Sequence, residues 1–368
     1  MKNDHIKIVI SGGGTGGHIF PAIAIADTMK KHYPDAEILF VGAEGRMEME
    51  RVPKAGYPIE GLWISGFTKD ASALMLPFKI ASSLIRARSI LNKFNPDVVI
   101  GVGGFASGPT LKAASWLGIP TVIQEQNSYP GKTNRNVGKN AAAICTAYEN
   151  MEQWFPADRI HLTGNPLRNG ITNTNIDRSA AAEYFGLNPE KPIALVVGGS
   201  QGALGINLGI SAGLEKFRNS DMQLIWQTGK NYLDRANSEV EALKLESQVK
   251  PIVFIDRMDY AYGLADVVIS RAGAISISEL SIVGKPVVFV PLPTAAEDHQ
   301  TKNAMRLVNA DAALLVENKN AENELVEKML QLANDKERQA TLMKNIKHFA
   351  QPDAAEKIAE VIMNVINS

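Results

Sequence analysis

One structural unit occurs twice along this chain. Near the N-terminus, the apolar run Ile6–Ile10 leads into the glycine-rich loop Gly12–Gly17 and then into a segment with helical periodicity. In the second half, the run Ile193–Val197 leads into another such loop, Gly198–Ala203, and another helical segment. Glycine lets backbone N–H groups approach a phosphate at the N-terminus of the following helix. The duplication therefore predicts an α/β protein whose two doubly wound domains face each other across a phosphate-binding cleft.

Short runs of valine and isoleucine alternate with amphipathic segments along the whole chain, which is typical of parallel sheets built from βαβ units. Strands are predicted at residues 6–10, 37–41, 97–101, 120–124, 143–146, 193–198, 223–228, 251–255, 266–270, 286–290 and 312–316. Helices are predicted at residues 21–32, 205–217, 322–333 and 353–367. The segment 164–177 is rich in glycine, proline and asparagine, and therefore predicts the connection between the two domains.

The composition is that of a globular protein, with 45% hydrophobic and 21% charged residues among 368. The net charge of −1 gives no general attraction to nucleic acid. The single cysteine, Cys145, excludes an internal disulfide framework and predicts a reducing compartment. No stretch approaches the roughly 20 apolar residues of a spanning helix, and the N-terminus has no apolar signal region. We therefore expect a cytoplasmic protein with no nucleic-acid partner and only peripheral membrane contact.

The first glycine-rich loop has several interpretations. Gly12, Gly14 and Gly17 match the G-x-G-x-x-G pattern of phosphate loops, which also occurs in nicotinamide-dependent oxidoreductases. Those enzymes carry an acid about 20 residues further on, whereas the first acid after the second predicted strand is Glu44. A tight turn without a ligand is the remaining alternative. A third loop of this kind, Gly103–Gly108, favours a ligand.

Polar residues at the ends of predicted strands are candidates for catalysis and binding. His18 lies at the start of the first helix, where the helix dipole disfavours a charged ring, so a neutral, proton-accepting imidazole is expected. The alternative is a histidine that caps the helix or packs against it. Gln124–Asn127 and Glu297–Gln300 follow strands in the two halves, and the carboxyl ends of parallel strands point into the crevice.

Glu279 lies in the helix that follows the predicted strand 266–270. A carboxylate there can accept two hydrogen bonds from a ribose diol, although a solvated helix glutamate is the commoner case. The chain has no Asp-x-Asp, no His-x-x-His and no paired cysteines, so no metal site is predicted.

Seven ordered motifs resemble those of one family, the UDP-N-acetylglucosamine:undecaprenyl-diphospho-muramoylpentapeptide N-acetylglucosaminyltransferases, commonly called MurG. The motifs span nearly the whole chain and are Gly12–His18, Gly103–Pro109, Glu125–Asn127, Gly164–Arg168, Gly198–Ala203, Arg271–Ala274 and His299–Gln300. The resemblance implies the GT-B architecture of two Rossmann-like domains. It also implies that residues 1–166 plus 351–368 bind the acceptor and face the membrane, whereas residues 167–350 bind UDP-N-acetylglucosamine.

The implied reaction transfers N-acetylglucosamine, with inversion, from UDP to the C4 hydroxyl of the muramoyl sugar of lipid I, giving lipid II. No cofactor is implied. Because no metal motif is present, the amides of the Gly198–Ala203 loop, the Ser200 hydroxyl and Arg168 are expected to neutralise the departing UDP. By resemblance, Glu279 holds the ribose and the backbone of Ile255 reads the uracil edge. The other implied substrate contacts are Thr15, Gly16, Gly17, Asn127, Ala274, Ile275, Ser276 and Gln300.

Inverting transfer needs a base that deprotonates the acceptor hydroxyl. His18 is the first candidate and Glu125 the second, and the sequence does not separate them. Members of the family often carry histidine at the position of Gln124 and tyrosine at that of Phe105. Gln124 therefore removes one proton acceptor, and Phe105 removes a hydroxyl that an acceptor would bond.

The segment Ala71–Asn95 contains no acid and is the best candidate for contact with the anionic inner membrane surface where lipid I is anchored. Its residues expected to meet the bilayer are Leu74, Met75, Leu76, Phe78, Lys79, Arg86, Arg88 and Lys93, and the basic patch is extended by Lys132, Arg135 and Lys139. The alternative is a core-packing helix whose buried stripe is Ile80, Leu84, Leu91 and Phe94.

Three rival functions share parts of this pattern. A hexosamine epimerase would bind the nucleotide sugar but no lipid. A nicotinamide-dependent oxidoreductase is supported only by the first glycine pattern. A non-catalytic nucleotide-sugar-binding or scaffold subunit is disfavoured because both halves of the pattern are complete.

Overall fold

The structure, a computed structural model, describes residues 5–65, 75–167, 176–199 and 201–368. The chain divides into two compact units, Met1–Arg168 with Gln351–Ser368 and Asn169–Ala350. Each unit contains one sheet in which neighbouring strands are parallel. The predicted fold class of two doubly wound α/β domains is confirmed.

The strands of the N-terminal unit are β1 (Lys7–Ser11), β2 (Glu37–Ala43), β3 (Ile59–Leu62), β4 (Val98–Gly101), β5 (Thr121–Glu125), β6 (Ala143–Thr146) and β7 (Ile160–Leu162). They form one sheet in the order β3-β2-β1-β4-β5-β6-β7. In the register, Val9 lies beside Leu39 of β2 on one side and Val99 of β4 on the other. The chain order reverses between β1 and β4, and strand ends at such a switch point form the ligand crevice of open α/β sheets.

The helices of this unit include α1 (Gly16–His32), α2 (Glu48–Lys54), α3 (Leu76–Phe94), α4 (Ser107–Trp116) and α5 (Lys132–Gly138). Successive strand residues point to opposite faces of the sheet, so each strand supplies two cores. Ile8 and Ile10 are fully buried in one core, whereas Val9 is fully buried in the other. Because helices cover both faces, β1 reads in the sequence as an uninterrupted apolar run.

The strands of the C-terminal unit are β8 (Ile193–Val197), β9 (Gln223–Gln227), β10 (Val249–Ile252), β11 (Val267–Ser270), β12 (Val287–Phe289) and β13 (Leu314–Leu315). Their order is β10-β9-β8-β11-β12-β13, with a switch point between β8 and β11. The helices are α6 (Arg178–Phe185), α7 (Leu204–Gly213), α8 (Leu233–Ala242), α9 (Met258–Leu264), α10 (Ala274–Val283), α11 (His299–Asn309), α12 (Ala321–Asn334) and α13 (Lys336–Ile346). Ala194 and Val196 of β8 face one core, and Ile193 and Leu195 face the other.

The last helix, α14 (Ala354–Asn367), belongs to the N-terminal unit. Its Ile358 and Ile362 are fully buried in the same core as Ile25 of α1. At the surface, Lys31 Nζ lies 2.8 Å from the Glu356 carboxylate. The buried isoleucines contribute most to this packing, because an exposed ion pair adds little.

Some boundaries differ from the predicted ones. Strands β3 and β7 were not predicted, because they lie at the two edges of the sheet and lack an apolar run. The predicted strand 251–255 is shifted, since Val253 and Phe254 are exposed in the loop that follows β10. Helix α1 begins at Gly16 rather than at residue 21, which places Pro21 inside the helix.

The buried residues of helix α3 are Leu76, Ser83, Ala87, Ile90 and Leu91. Of the stripe given as the alternative, Leu84 and Phe94 are half-buried. The buried position of Leu91 is confirmed, whereas Ile80 is 39% exposed and the prediction for it is wrong. The expected bilayer contact of Leu76 is also wrong, because that side chain packs inward. Leu74 lies outside the described residues. Within the described part of the chain, no helix is both long and apolar enough to cross a bilayer.

Candidate active site

Two glycine-rich loops meet at the switch point of the N-terminal sheet. The N–H of Gly13 donates to the carbonyl of Gly103 at 3.3 Å, so the loop after β1 is bonded to the loop after β4. A Cβ on Gly104 would collide with the backbone of Gly13. Position 104 therefore needs glycine because two backbones approach closely there, whether or not a ligand binds.

Glu48, which the sequence did not mark as a site residue, lies beneath the first of these loops. Its side chain belongs to α2 and is 1% exposed. One carboxylate oxygen accepts from the Gly14 N–H at 2.9 Å, and the other accepts from the Ala43 N–H at 3.0 Å. The carboxylate thus fixes the loop after β1 to the end of β2.

His18 lies in the first turn of α1 and is half-buried. Its Nδ1 is 3.1 Å from the Gly13 carbonyl oxygen and 3.2 Å from Thr15 Oγ1. Because a carbonyl only accepts, Nδ1 carries the proton, and in the neutral ring Nε2 is then the basic nitrogen. Nε2 lies against Gly103, where an added Cβ would be only 3.0 Å away. The ring is therefore held in one tautomer with its basic nitrogen at the loop after β4.

The other predicted contacts on this side lie around the same helix end. Thr15 precedes α1 in an extended conformation and is exposed, and Gly16 and Gly17 are the first two residues of the helix. No acidic residue occupies the first turn. The positive end of the helix dipole is thus uncompensated by a carboxylate of its own first turn.

Glu125, the second candidate base, is 1% exposed at the end of β5. Its Oε1 accepts from the N–H and the side-chain amide of Asn127, and its Oε2 accepts from the Gly131 N–H and from Asn134 Nδ2. Burial raises the pKa of the carboxyl, and the four donors oppose that rise. With four donors bound, this carboxylate organises the loop between β5 and α5.

The side chains on either side of Glu125 also form hydrogen bonds inside the protein. Gln124 Nε2 donates to Asn165 Oδ1 at 2.9 Å, and Gln126 Nε2 donates to the Val102 carbonyl at 2.7 Å. Gln124 and Gln126 are both buried, so the expectation that these side chains point into a crevice is wrong for them. Asn127, the substrate contact predicted after this strand, is half-buried.

In the C-terminal unit, helix α10 starts directly behind the end of β11. Ala274, Ile275 and Ser276 form its first turn, and Glu279 follows on the same helix. The Glu279 carboxylate accepts from the Tyr262 hydroxyl at 3.3 Å. Burial, together with the nearby carboxylate, raises the pKa of Tyr262 well above its ordinary value. Tyr262 was not predicted, and it remains a protonated donor to Glu279.

The segment after β10 is joined to the second glycine-rich loop. The Ile255 N–H donates to Gln227 Oε1 at 2.9 Å, and Gln227 Nε2 donates to the Gly199 carbonyl at 2.8 Å. A nucleobase would therefore be read through the Ile255 carbonyl, or would have to displace Gln227. Gln227 is a polar residue at the end of a buried strand, as Glu125 is, and that pattern is the sequence signal that could have identified it.

Gln300 lies in the first turn of α11, and its Oε1 accepts from the Leu292 N–H at 2.9 Å. Two acids just before this helix, Glu297 and Asp298, have φ values of 51° and 56°. Non-glycine residues rarely adopt this left-handed conformation, and it clusters at functional sites. The strain is consistent with a ligand-contacting loop at this position.

Arg271 is a buried cation at the end of β11. Its Nη1 lies 2.8–3.1 Å from the carbonyls of Val290 and Pro291 and from Asn318 Oδ1. Burial lowers its pKa to about 10. The cation and hydroxyl predicted to face the departing UDP, Arg168 and Ser200, lie outside the described residues. Among the described residues, no three histidine, cysteine, aspartate or glutamate side chains are grouped as metal ligands would be.

In each unit, contacts join some of the predicted residues. In the N-terminal unit, Gly103 lies next to both His18 and Asn134, the partner of Glu125. In the C-terminal unit, the Gly199 loop and Ile255 are connected through Gln227. The polar residues that contact predicted residues and that sequence reasoning missed are Glu48, Asn134, Gln227 and Tyr262.

Domain models of one family match both halves of the chain. The glycosyltransferase family 28 N-terminal domain matches residues 8–146, and the C-terminal domain of that family matches residues 193–358. The UDP-N-acetylglucosamine–N-acetylmuramyl-(pentapeptide) pyrophosphoryl-undecaprenol N-acetylglucosamine transferase of Parabacteroides distasonis is 54% identical over 365 residues. That alignment covers 98% of each chain.

Solved structures with the same fold align over nearly the whole chain. The MurG of Acinetobacter baumannii aligns with a TM-score of 0.79 at 27% identity, covering 98% of this chain and 99% of that one. The UDP-GlcNAc 2-epimerase of Neisseria meningitidis aligns with a TM-score of 0.67 at 15% identity, covering 98% and 100%. The second likeness shows a shared fold alone.

Proposed function

The chain belongs to glycosyltransferase family 28, and we propose that it transfers N-acetylglucosamine from UDP-N-acetylglucosamine to lipid I, which forms lipid II for peptidoglycan synthesis. The observation that carries this conclusion is the 54% identity to such a transferase over 98% of both chains. The epimerase alternative rests on a shared fold at 15% identity. The oxidoreductase alternative rests on one glycine pattern.

The donor belongs on the C-terminal unit, residues 167–350. Glu279 would accept hydrogen bonds from the ribose diol, and the Ile255 carbonyl would accept from N3–H of the uracil. Ala274, Ile275 and Ser276 would line the nucleotide at the N-terminus of α10, where the helix dipole favours an anion. Gln300, at the first turn of α11, would contact the sugar hydroxyls.

The departing UDP is an anionic diphosphate whose charge must be stabilised. The backbone amides of the Gly198–Ala203 loop are suited to stabilise it, since the loop ends where α7 begins and the N-terminus of a helix favours an anion. Ser200 and Arg168 complete the proposed set, which contains no metal ion. Removal of one such donor typically lowers the rate by about 10²–10³-fold.

The acceptor belongs on the N-terminal unit, residues 1–166 plus 351–368, and His18 is the proposed base. Its Nδ1–H donates to the Gly13 carbonyl, so Nε2 is the nitrogen that would take a proton from the C4 hydroxyl. Glu125 is less suited, because its carboxylate is buried and accepts four hydrogen bonds from its own loop. The amides at Thr15, Gly16 and Gly17 would bind diphosphate, and Asn127 would contact a sugar hydroxyl.

Helix α3 and its neighbours are the proposed contact with the membrane that holds lipid I. Phe78 and Ile85 lie seven residues apart on one face of the helix and are 67% and 73% exposed. Lys79 lies beside the exposed Trp63, with Nζ 5.6 Å from its ring centroid. Arg86 pairs with Glu60 at 2.9 Å, so its charge is partly compensated. Apolar insertion with a modest basic contribution therefore fits a reversible, peripheral contact.

A transfer assay tests the proposed reaction. Purified protein is incubated with labelled UDP-N-acetylglucosamine and a lipid I analogue, with and without EDTA. We expect label in the lipid product under both conditions, and no conversion of the nucleotide sugar when the acceptor is omitted. Absence of transfer would contradict the proposed function, and loss of transfer with EDTA would contradict the metal-independent site.

A further inference from the structure

Gln227 ends strand β9, and 2% of its surface is exposed. Its Nε2 donates to the Gly199 carbonyl at 2.8 Å, and its Oε1 accepts from the Ile255 N–H at 2.9 Å. Because one partner only accepts and the other only donates, the orientation of the amide is fixed. One side chain thus joins the loop after β8 to the segment after β10, across the strand that separates them.

The end of β9 supports both of these segments through its backbone as well. A Cβ on Gly202 would collide with the carbonyl of Thr228, so the glycine-rich loop packs directly on the residue after Gln227. The Thr228 N–H donates to the Ile252 carbonyl at 2.9 Å, which attaches the end of β10. Asn207 Nδ2 donates to the Thr228 carbonyl at 2.8 Å. Among the described residues, Gln227 is the side chain that bonds both segments.

We propose that Gln227 is a positioning residue for the donor, which holds the phosphate-binding loop at a fixed distance from the base-reading segment. This inference rests on the proposed function, because it takes the ligand to be a nucleoside diphosphate whose base meets Ile255 and whose phosphates meet the Gly198–Ala203 loop. A loop that moves freely relative to Ile255 would have to be ordered on binding, at a cost in affinity. A neutral amide performs this role without placing a negative charge beside the diphosphate.

Gln223, at the other end of the same strand, provides a matched control. It is 3% exposed, and it also uses both ends of its amide, donating to the Asn188 carbonyl at 2.7 Å and accepting from the Asn188 N–H at 2.8 Å. Gln223→Met therefore removes the same two kinds of hydrogen bond at equal burial. The partner of Gln223 is a residue outside the glycine-rich loop and the segment after β10.

The test measures dissociation constants of UDP and uridine, and thermal midpoints, for wild type, Gln227→Met and Gln223→Met. We expect Gln227→Met to weaken UDP about tenfold and uridine less than about threefold, since two hydrogen bonds that order the loop are lost. Gln223→Met should lower the thermal midpoint to a similar extent and leave both affinities near wild type. Gln227→Asn keeps the amide but is too short to reach both partners, and should also lower the preference for UDP over uridine.

The outcomes separate this inference from the proposed function. If wild type binds UDP and both methionine variants lose affinity equally, or if the preference of the Gln227 variants for UDP over uridine is unchanged, the positioning role is wrong. If wild type binds neither UDP nor uridine, the proposed donor site is wrong and the inference is overturned with it. Should Gln227→Met fail to fold, Gln227→Asn gives the same comparison.

Discussion

The carboxylate of Glu48 accepts a hydrogen bond of 2.9 Å from the N–H of Gly14, so a buried acid supports the first glycine-rich loop from below. The same carboxylate accepts from Ala43, at the end of the neighbouring strand. An acid in this position does not compete for phosphate, because it faces the interior. Instead it determines how the loop amides are oriented towards the proposed acceptor.

Replacing Glu48 with glutamine is expected to loosen this loop, because an NH₂ group would face an N–H donor. We expect the free energy of unfolding to fall by about 1–3 kcal/mol and kcat to fall about tenfold, with UDP affinity unchanged. Chemical denaturation, steady-state kinetics and UDP titration measure these effects. Glu44→Gln, at an exposed site in the same connection, is the control. Wild-type kcat and stability in Glu48→Gln would contradict the supporting role.

The two candidate bases are expected to respond differently to substitution. His18→Ala should lower kcat by about 10²–10⁴-fold, the usual contribution of general-base catalysis, with little change in the donor KM. Glu125→Gln should mainly lower the thermal midpoint, since an NH₂ group would replace an oxygen that accepts two hydrogen bonds. Steady-state kinetics and thermal unfolding of both variants separate the roles. Unchanged kcat in His18→Ala, with a large loss in Glu125→Gln at wild-type stability, would move the base to Glu125.

The fold could be predicted because it depends on local pattern. Central strands such as β1 and β8 are buried on both faces, and burial on both faces requires an uninterrupted apolar run that is visible in the sequence. The edge strands β3 and β7 are not buried on both faces, so they need no apolar run, and they were missed. In α3, Leu76 was expected at the bilayer but is buried, and Ile80 of the alternative core stripe is 39% exposed, because helical spacing does not define which face of a helix meets the core.

The candidate site could be predicted only where glycine makes a loop recognisable. The loops at Gly12 and Gly198 are proposed to act through their backbone groups, so the spacing of their glycines is enough to identify them. Glu48 and Gln227 act through contacts with residues 34 and 28 positions away, which no local pattern records. The role of Glu125 stays a prediction, since a polar residue at a strand end reads as a site residue whether it faces the ligand or the interior.

Tyr262 is expected to hold in position the Glu279 carboxylate, which is proposed to bind the ribose. Tyr262→Phe removes the hydroxyl that donates to Glu279 at 3.3 Å. It should weaken UDP about three- to tenfold, because the loss of one orienting hydrogen bond corresponds to about 0.5–1.5 kcal/mol. The preference for UDP over 2′-deoxy-UDP should shrink, because the carboxylate that reads the diol is no longer oriented. Tyr260→Phe, on the same helix, is the control. An unchanged preference in Tyr262→Phe would argue against ribose reading by Glu279.

Because burial and the Glu279 carboxylate raise the pKa of Tyr262, its hydroxyl stays protonated through neutral and mildly alkaline pH. Its hydrogen bond is therefore present below the ordinary tyrosine pKa and is lost only as the pH rises through the raised value. UDP affinity of the wild type should show no loss from this group between neutral pH and about pH 9. Isothermal titration across that range provides the measurement, and an alkaline loss that Tyr262→Phe abolishes would contradict the raised pKa.

Membrane contact is expected to depend on the apolar face of α3 more than on Arg86, whose charge is paired with Glu60. Phe78 and Ile85 expose most of their side chains on one helix face, and burial of such a residue in the bilayer interface contributes about 1 kcal/mol or more. The double variant Phe78→Ser/Ile85→Ser should therefore bind anionic phosphatidylglycerol vesicles at least about tenfold more weakly. Turnover of a water-soluble acceptor should remain close to wild type, because these side chains lie on the surface.

Leu162→Ser, at an exposed position of the edge strand β7, is the matched control and should bind vesicles normally. Equal vesicle binding by the double variant and the control would place the membrane contact elsewhere.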